Sequence, residues 1–232
     1  QGHSLMVLVD ERPAQPSRTL FQWASGTPVK ASVLVSLFNY ERCITEALDS
    51  VAAQLTENLE LIVVDDSSRD DGAAVVANWM EAQLRDESYP FARLLLLQHT
   101  GNAGLAAARN TAFTAAKAPW CFVLDADNAL FPLAVAGCLE LVERGSEHLA
   151  VVHPLLSVEA KPGRPDDQRS LVSSASWQRE RLIVGNVVDA MALVRRSAWE
   201  KVGGYTHIEG GWEDYDFWCK LVEAGFYGVQ SP

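Results

Sequence analysis

Long apolar runs are missing from this chain. The nearest candidates, around 94–97 and 130–139, are short or interrupted by Pro132, well below the ~20 residues a membrane-crossing helix needs, so no transmembrane segment is expected. Positive charge is scarce as well. Nineteen Lys and Arg stand against 30 Asp and Glu, a formal net charge of −11, which repels phosphate backbones and anionic headgroups and removes nucleic acid from the expected partners. A small anionic ligand stays compatible, because a divalent cation or a helix N-terminus reverses the potential locally. The four cysteines, Cys43, Cys121, Cys138 and Cys219, contain no C-x-x-C pair and fall in apolar-periodic stretches. They read as free, buried thiols in a reducing compartment rather than a disulfide framework. No basic segment, apolar segment and small-residue cleavage site open the chain, so a cytoplasmic location is expected, and Gln1-Gly2-His3 reads as the remnant of a cleaved tag. Several catalytic signatures are absent too. The sequence has no H-E-x-x-H, no G-x-S-x-G, no G-x-x-x-x-G-K-[ST] and no G-x-G-x-x-G, which removes the zinc-protease, serine-hydrolase, P-loop and dinucleotide-binding readings.

What is present is an ordinary globular balance. Hydrophobic residues make up 48% and charged residues 21% of 232, enough to bury one large domain. Residues 1–30, with Pro13, Pro16 and Pro28 and little periodicity, read as a surface or disordered extension, and 31–232 as a single domain whose C-terminal end is expected to be truncated. From Ala31, apolar runs at 31–37, 59–64, 92–97, 120–124 and 149–152 alternate with helical patterns at 41–54, 72–84, 105–117 and 132–144. The first four runs are nearly continuous rather than alternating, as when helices cover both faces of a parallel sheet. The expected fold is therefore α/β, Rossmann-like, with a mostly parallel central sheet and helices on both sides. Further on, 154–176 reads as a long loop, 189–194 as a strand, 197–202 and 213–224 as helices, and 226–229 as the start of another strand.

In such a sheet, ligands bind beyond the carboxyl ends of the strands. Three of these ends are polar: Ser36-Leu37-Phe38-Asn39, Asp65-Asp66-Ser67-Ser68 and Asp125-Ala126-Asp127-Asn128. Four carboxylates on one edge repel each other unless a cation or a donor-rich ligand is bound. The D-x-D spacing of Asp125 and Asp127 turns both side chains towards one point, and hard oxygen donors suit Mg²⁺ or Mn²⁺. Alternatively Asp127 caps the helix that follows, and Asp65-Asp66 form a turn capping the helix at Gly72. The loop from His99 to Gly104 either approaches a phosphate or is a plain strand-to-helix turn, and Arg109 and Asn110 behind it are placed to tether the carboxylate loops. His99 and His153 end strands and are candidates to line the cleft, whereas His207 reads as a surface residue. Finally Glu213 and Asp214 follow Gly210-Gly211-Trp212, where acids complement a helix dipole or one of them serves as a general base on an acceptor hydroxyl.

VSLFNYERCITEALDSVAAQ, LELIVVDDSSRDD, NAGLAAARNTA, FVLDADN, VRRSAWEKVGGY and GWEDYDFW, in this order, resemble the motifs of bacterial-type family 2 glycosyltransferases with the GT-A fold. The resemblance covers residues 31–229. It implies a nucleotide-binding half at 31–128, an acceptor-binding half at 129–232, and inverting, hexosyltransferase-type transfer from a nucleoside-diphosphate sugar, UDP-linked favoured, to a saccharide or other hydroxyl acceptor. Mg²⁺ or Mn²⁺ is the implied cofactor, and cell-envelope polysaccharide synthesis the implied setting. By motif position Ser36 and Phe38 flank the nucleobase, Asp66 accepts a hydrogen bond from it, Asp65 lies beside the ribose, and Asn102 belongs to the nucleotide site. Asp127 binds the metal, Asp125 contacts the ribose or the metal, Asp214 is the base, and Glu213 orients it or the acceptor. The chain departs from the pattern at Leu37-Phe38 and at Asn128, where a further aspartate is frequent. A non-catalytic nucleotide-sugar-binding domain is the alternative. A sugar-nucleotidyltransferase would need a Gly-rich basic loop where this chain reads SLFNYERC.

Overall fold

The structure is a computed structural model that describes residues 15–85, 90–158, 170–173 and 175–231. Among the described residues the main sheet has eight strands, in the order β1 (Ser17–Ala24), β4 (Phe91–His99), β3 (Leu59–Asp65), β2 (Ala31–Leu37), β5 (Trp120–Asp125), β9 (Leu193–Arg195), β6 (Leu149–His153) and β10 (Tyr227–Gln230). The central four, β2 (Ala31–Leu37), β3 (Leu59–Asp65), β4 (Phe91–His99) and β5 (Trp120–Asp125), run parallel. Every residue of β3 is buried, which is why the run lacks alternation: helices cover both of its faces. On one face α1 (Ile44–Ala52), α2 (Gly72–Gln83) and α4 (Ala134–Arg144) pack a core around Ile44, Leu48, Met80 and Cys138. On the other, α3 (Leu105–Ala115) and α7 (Glu213–Glu223) pack a second core around Phe113, Phe217 and Trp218. Side chains of this size stabilise by about 1.5–3 kcal/mol each when fully buried. The expected α/β architecture with a mostly parallel sheet is what forms.

Three boundaries differ from the sequence reading. Within the supposed extension, β1 (Ser17–Ala24) pairs antiparallel with β4, from Ser17 opposite His99 to Ala24 opposite Arg93. Only Phe21 and Trp23 turn inward against the core, so the apolar alternation is two residues long and the strand was illegible. Residues 1–14, with the tag-like start, lie outside the described residues. The expected strand at 189–194 shrinks to β9 (Leu193–Arg195), antiparallel to both β5 and β6 (Leu149–His153). Within the expected loop, β7 (Leu156–Val158) and β8 (Ser170–Val172) form a small antiparallel pair, and 159–169 are outside the described residues. The strand expected near the end is β10 (Tyr227–Gln230), parallel to β6. Two short helices, α5 (Arg179–Val184) and α6 (Arg196–Lys201), complete the chain.

All four cysteines are free; Cys121 and Cys138 are buried, Cys43 is exposed and Cys219 half-buried, so burial holds for two. Burial pushes the Cys138 thiol up to about 12. Among the described residues no helix is long and apolar enough to cross a membrane.

Candidate active site

Sheet register aligns the carboxyl-end residues. Ser36 lies beside Val64 on one side and Asp125 on the other, and Asp65 lies beside Gln98. Beyond these ends the loops after β2 and β3 are laced together. Asn39 takes a left-handed φ of 60°, a conformation Asn tolerates better than most side chains. Its N–H donates to Ser68 Oγ and its side-chain oxygen accepts from the Arg69 N–H. The Glu41 N–H donates to Asp70, and the Asp71 N–H donates to Glu41.

Asp65 and Asp66 are buried and turn inward. Asp65 is fully buried and accepts from the Ser68 N–H and hydroxyl and from Gln98 Nε2. Asp66 accepts from His99 Nδ1 at 2.7 Å, Asn102 Nδ2 at 2.9 Å, the Ala103 N–H at 2.9 Å and the Gly104 N–H at 2.7 Å. Four donors fill the roughly four lone-pair sites of a carboxylate. Asp66 is thus held by these four donors, Asp65 by Ser68 and Gln98, and Asn102 braces Asp66. Neither aspartate caps α2; Asp70 accepts from the Gly72 N–H instead. His99 is spent on Asp66 and Thr111, and His153 is buried against Ser173, so neither lines the cleft. His207 is exposed as expected, and its ring covers Gly104 closely enough that a Cβ there would meet Nδ1 at 3.3 Å. Ser36 is half-buried, and Phe38, just past β2, keeps an exposed ring.

Asp125 and Asp127 present a different picture. Asp127 is exposed. The helix it was a candidate to cap begins at Ala134 with Leu133 as its cap, so capping does not explain it. The charges of Asp127 and Asp125, with burial, raise the pKa of the Tyr40 hydroxyl. One Asp125 oxygen accepts from Arg109 Nη2 at 3.0 Å, leaving the other available. Among the described residues no three His, Cys, Asp or Glu side chains form a metal cage of their own. The donor set still fits Mg²⁺ or Mn²⁺, which use one or two carboxylates and complete their shells with substrate phosphates and water.

Arg109 joins the two ends of the site. Besides Asp125, it donates from Nη1 to Glu213 at 2.7 Å, and its guanidinium stands 5.5 Å from the Tyr205 ring centre. Burial works against its charge, but Asp125, Tyr205 and Glu213 outweigh that and keep it protonated. Asn110 ties the next segment, accepting from the Tyr205 N–H and Trp199 Nε1 and donating to the Tyr205 carbonyl. Glu213 is thus buried on Arg109, while Asp214 is half-buried and accepts from Asn186 Nδ2 at 2.9 Å.

Sequence reasoning missed Tyr40, Asn186 and Asp189. Asp189 accepts from the Met191 N–H at 2.9 Å; burial raises its pKa, and Asp125 and Asp214 raise it further. A lone acid within NVVDAMAL carries no spacing signal, although an Asp in an apolar run is itself a flag. Asp127 and Asp189 both line a cleft of about 490 Å³.

The family described as Glycosyl transferase family 2 matches residues 32–203. An uncharacterized glycosyltransferase of Haemophilus influenzae is 25% identical over 211 residues, covering 87% of this chain and 66% of that protein. An Escherichia coli chondroitin synthase is 25% identical over 198 residues, 84% of this chain but 26% of the relative. This chain therefore spans from about a quarter to about two thirds of these relatives' length. Among solved structures, the mannosyltransferase PcManGT of Pyrobaculum calidifontis, in complex with GDP-Man and Mn²⁺, superposes with a TM-score of 0.66 at 22% identity, over 89% of this chain and 56% of that one. Residues 1–349 of S. aureus TarS in complex with UDP superpose with a TM-score of 0.65 at 20% identity, over 88% and 57%. These structures share the GT-A fold with this sheet, and the match over 32–203 completes the case: the chain belongs to glycosyl transferase family 2.

Proposed function

We propose that this chain is the catalytic domain of an inverting glycosyltransferase that moves a sugar from a nucleoside diphosphate, UDP favoured, to the hydroxyl of a saccharide or another alcohol. One observation carries the reading. The exposed acid at the end of β5 and the half-buried acid at the start of α7 come from distant chain segments, and buried Arg109 joins the two ends. Inversion needs the base on the face of the anomeric carbon opposite the leaving diphosphate, which separate segments can supply. Asp214, oriented by Asn186, takes the acceptor proton as that oxygen attacks the anomeric carbon. Asp127 and Asp125 would hold a divalent cation. Such a cation, when bound, neutralises charge developing on the departing diphosphate. Glu213, committed to Arg109, sets the position of α7 rather than touching the acceptor. The GDP-Man, Mn²⁺ and UDP held by the structural neighbours support a nucleotide-sugar donor and a divalent cation. The cytoplasm and cell-envelope polysaccharide synthesis belong to the same proposal.

Calorimetric titration of UDP, GDP and dTDP, with Mn²⁺ and again with chelator, tests it. One nucleotide is expected to bind only with metal. Asp127→Ala is expected to weaken that binding on the order of 10-fold or more, about 1.4 kcal/mol. Unchanged affinity in the Mn²⁺ titration removes the metal role from Asp127.

A further inference from the structure

The segment leading into β9 is a strap tied down at both ends. At its start Asn186 donates from Nδ2 to Asp214 at 2.9 Å, while its Oδ1 accepts from the Val188 N–H at 3.3 Å, so the backbone sets which way the amide faces. At its end the Val123 N–H of β5 donates to the Ala192 carbonyl at 3.0 Å, two residues ahead of Asp125. Between these ties Trp218 Nε1 of α7 donates to the Val188 carbonyl at 3.1 Å, and the Asp189 N–H donates to Ser173 Oγ at 3.2 Å. The strap therefore bridges the two halves of the site.

Asp189 is its midpoint. Three residues separate it from Asn186 and three from Ala192, and three residues of chain span at most ~10 Å. Covalent reach alone thus ties it to the partner of Asp214 on one side and to the strand that carries Asp125 on the other. Its neighbours Val188, Ala190 and Met191 are buried, yet Asp189 lines the cleft together with Asp127.

Its carboxylate is half committed. Oδ1 accepts from the Met191 N–H at 2.9 Å, an Asx turn that fixes the direction of the side chain. Among the described residues Oδ2 has no donor, and a carboxylate oxygen in a cleft is complementary to a hydroxyl, which supplies the hydrogen it lacks. A third ligand to the cation would be the other use for it, but among the described residues no three His, Cys, Asp or Glu side chains are grouped to hold a metal ion. The glycosyltransferase reading, on which this inference rests, puts the departing diphosphate at the β5 end and the acceptor oxygen at Asp214. What lies between them is the transferred sugar.

We infer that Asp189 is a specificity-determining residue whose Oδ2 accepts a hydrogen bond from a hydroxyl of the transferred sugar.

Calorimetry tests this on the wild type, Asp189→Ala and Asp189→Asn, with UDP, UDP-glucose, UDP-galactose, UDP-N-acetylglucosamine, GDP and GDP-mannose, each with Mn²⁺. The readout is the affinity of a sugar nucleotide divided by that of its bare diphosphate, a ratio that damage to the fold or the cation site leaves unmoved. For the sugar nucleotide with the highest wild-type ratio, the ratio is expected to fall at least ~10-fold in Asp189→Ala and at least ~3-fold in Asp189→Asn, with bare-diphosphate affinity within about 2-fold of wild type. The asparagine keeps an oxygen for the Met191 N–H and loses only the charge, so it decides alone if the alanine variant fails to fold by circular dichroism. A wild-type ratio in Asp189→Asn assigns the side chain to its turn and overturns the inference. An equal fall for bare diphosphate and sugar nucleotide moves Asp189 to the cation and overturns it as well. A wild type that binds neither UDP nor GDP with Mn²⁺ fails the underlying reading instead, whatever the variants do.

Discussion

Asp214→Asn is expected to lower sugar transfer by at least ~100-fold, the low end of what a positioned general base supplies. The variant keeps the shape of the side chain and an oxygen that accepts from Asn186, which now donates to Asp214 at 2.9 Å. It removes only the capacity to take a proton. The fold and metal-dependent nucleotide affinity are expected to persist, because the acids proposed to hold the cation, Asp125 and Asp127, are on and beside the end of β5. Initial rates at saturating donor, alongside calorimetric nucleotide affinity, separate these effects. Transfer within a few-fold of the wild type sinks the assignment. Glu213→Gln is the matched control: an amide oxygen still accepts from Arg109, so a loss as large as that of Asp214→Asn would move the base to Glu213.

Removal of Arg109 is the second large effect, and it is one of stability. The guanidinium is buried between Asp125 and Glu213, and Glu213 is buried as well. Deleting one partner of a buried pair leaves an uncompensated charge and costs about 3–5 kcal/mol. For a domain of this size that corresponds to a fall in Tm on the order of 10 °C. Arg109→Met keeps much of the volume and still loses the charge, so it is expected to be destabilised similarly. Adding Glu213→Gln to it is expected to recover part of the loss, since the stranded carboxylate is gone. Arg109→Lys is expected to fall between, because an ammonium lacks the planar fork that reaches two carboxylates. Thermal unfolding of the four proteins reads this directly. A shift of Arg109→Met below about 2 °C would show that the pair adds nothing net to the fold, as some buried ion pairs do.

The same arginine marks how far the sequence carried the site. Its sequence neighbourhood placed it on a helix behind the acid loops, fit to tether them, and the structure joins it to Asp125 and Glu213, 104 positions apart in the latter case. Spacing cannot encode which acid of the E-D pair it takes, because both lie in the first turn of α7. Asp66 is the reverse case. Position after an apolar strand made it a ligand candidate; the structure adds four donors between His99 and Gly104 that hold it, and two of those donors are backbone N–H groups that no side-chain motif reveals. Asp189, which lines the cleft, and Tyr40, close enough to Asp127 to feel its charge, come from segments without any periodic signal.

By itself the sequence determined the architecture of the centre and the sheet edge on which the candidate acids gather. Near-continuous apolar runs separated by helical stretches demand a sheet covered on both faces, and parallel strands then gather their carboxyl ends on one edge. The edges of the sheet were decided only by the tertiary structure. The half-exposed strand β1 contributes two inward side chains and β9 three residues, too few for a pattern to rise above chance. Only the fold, too, divided the acids into those that hold loops together and those that face the cleft, because a carboxylate's role follows from the donors that surround it, and these come from residues scattered along the chain.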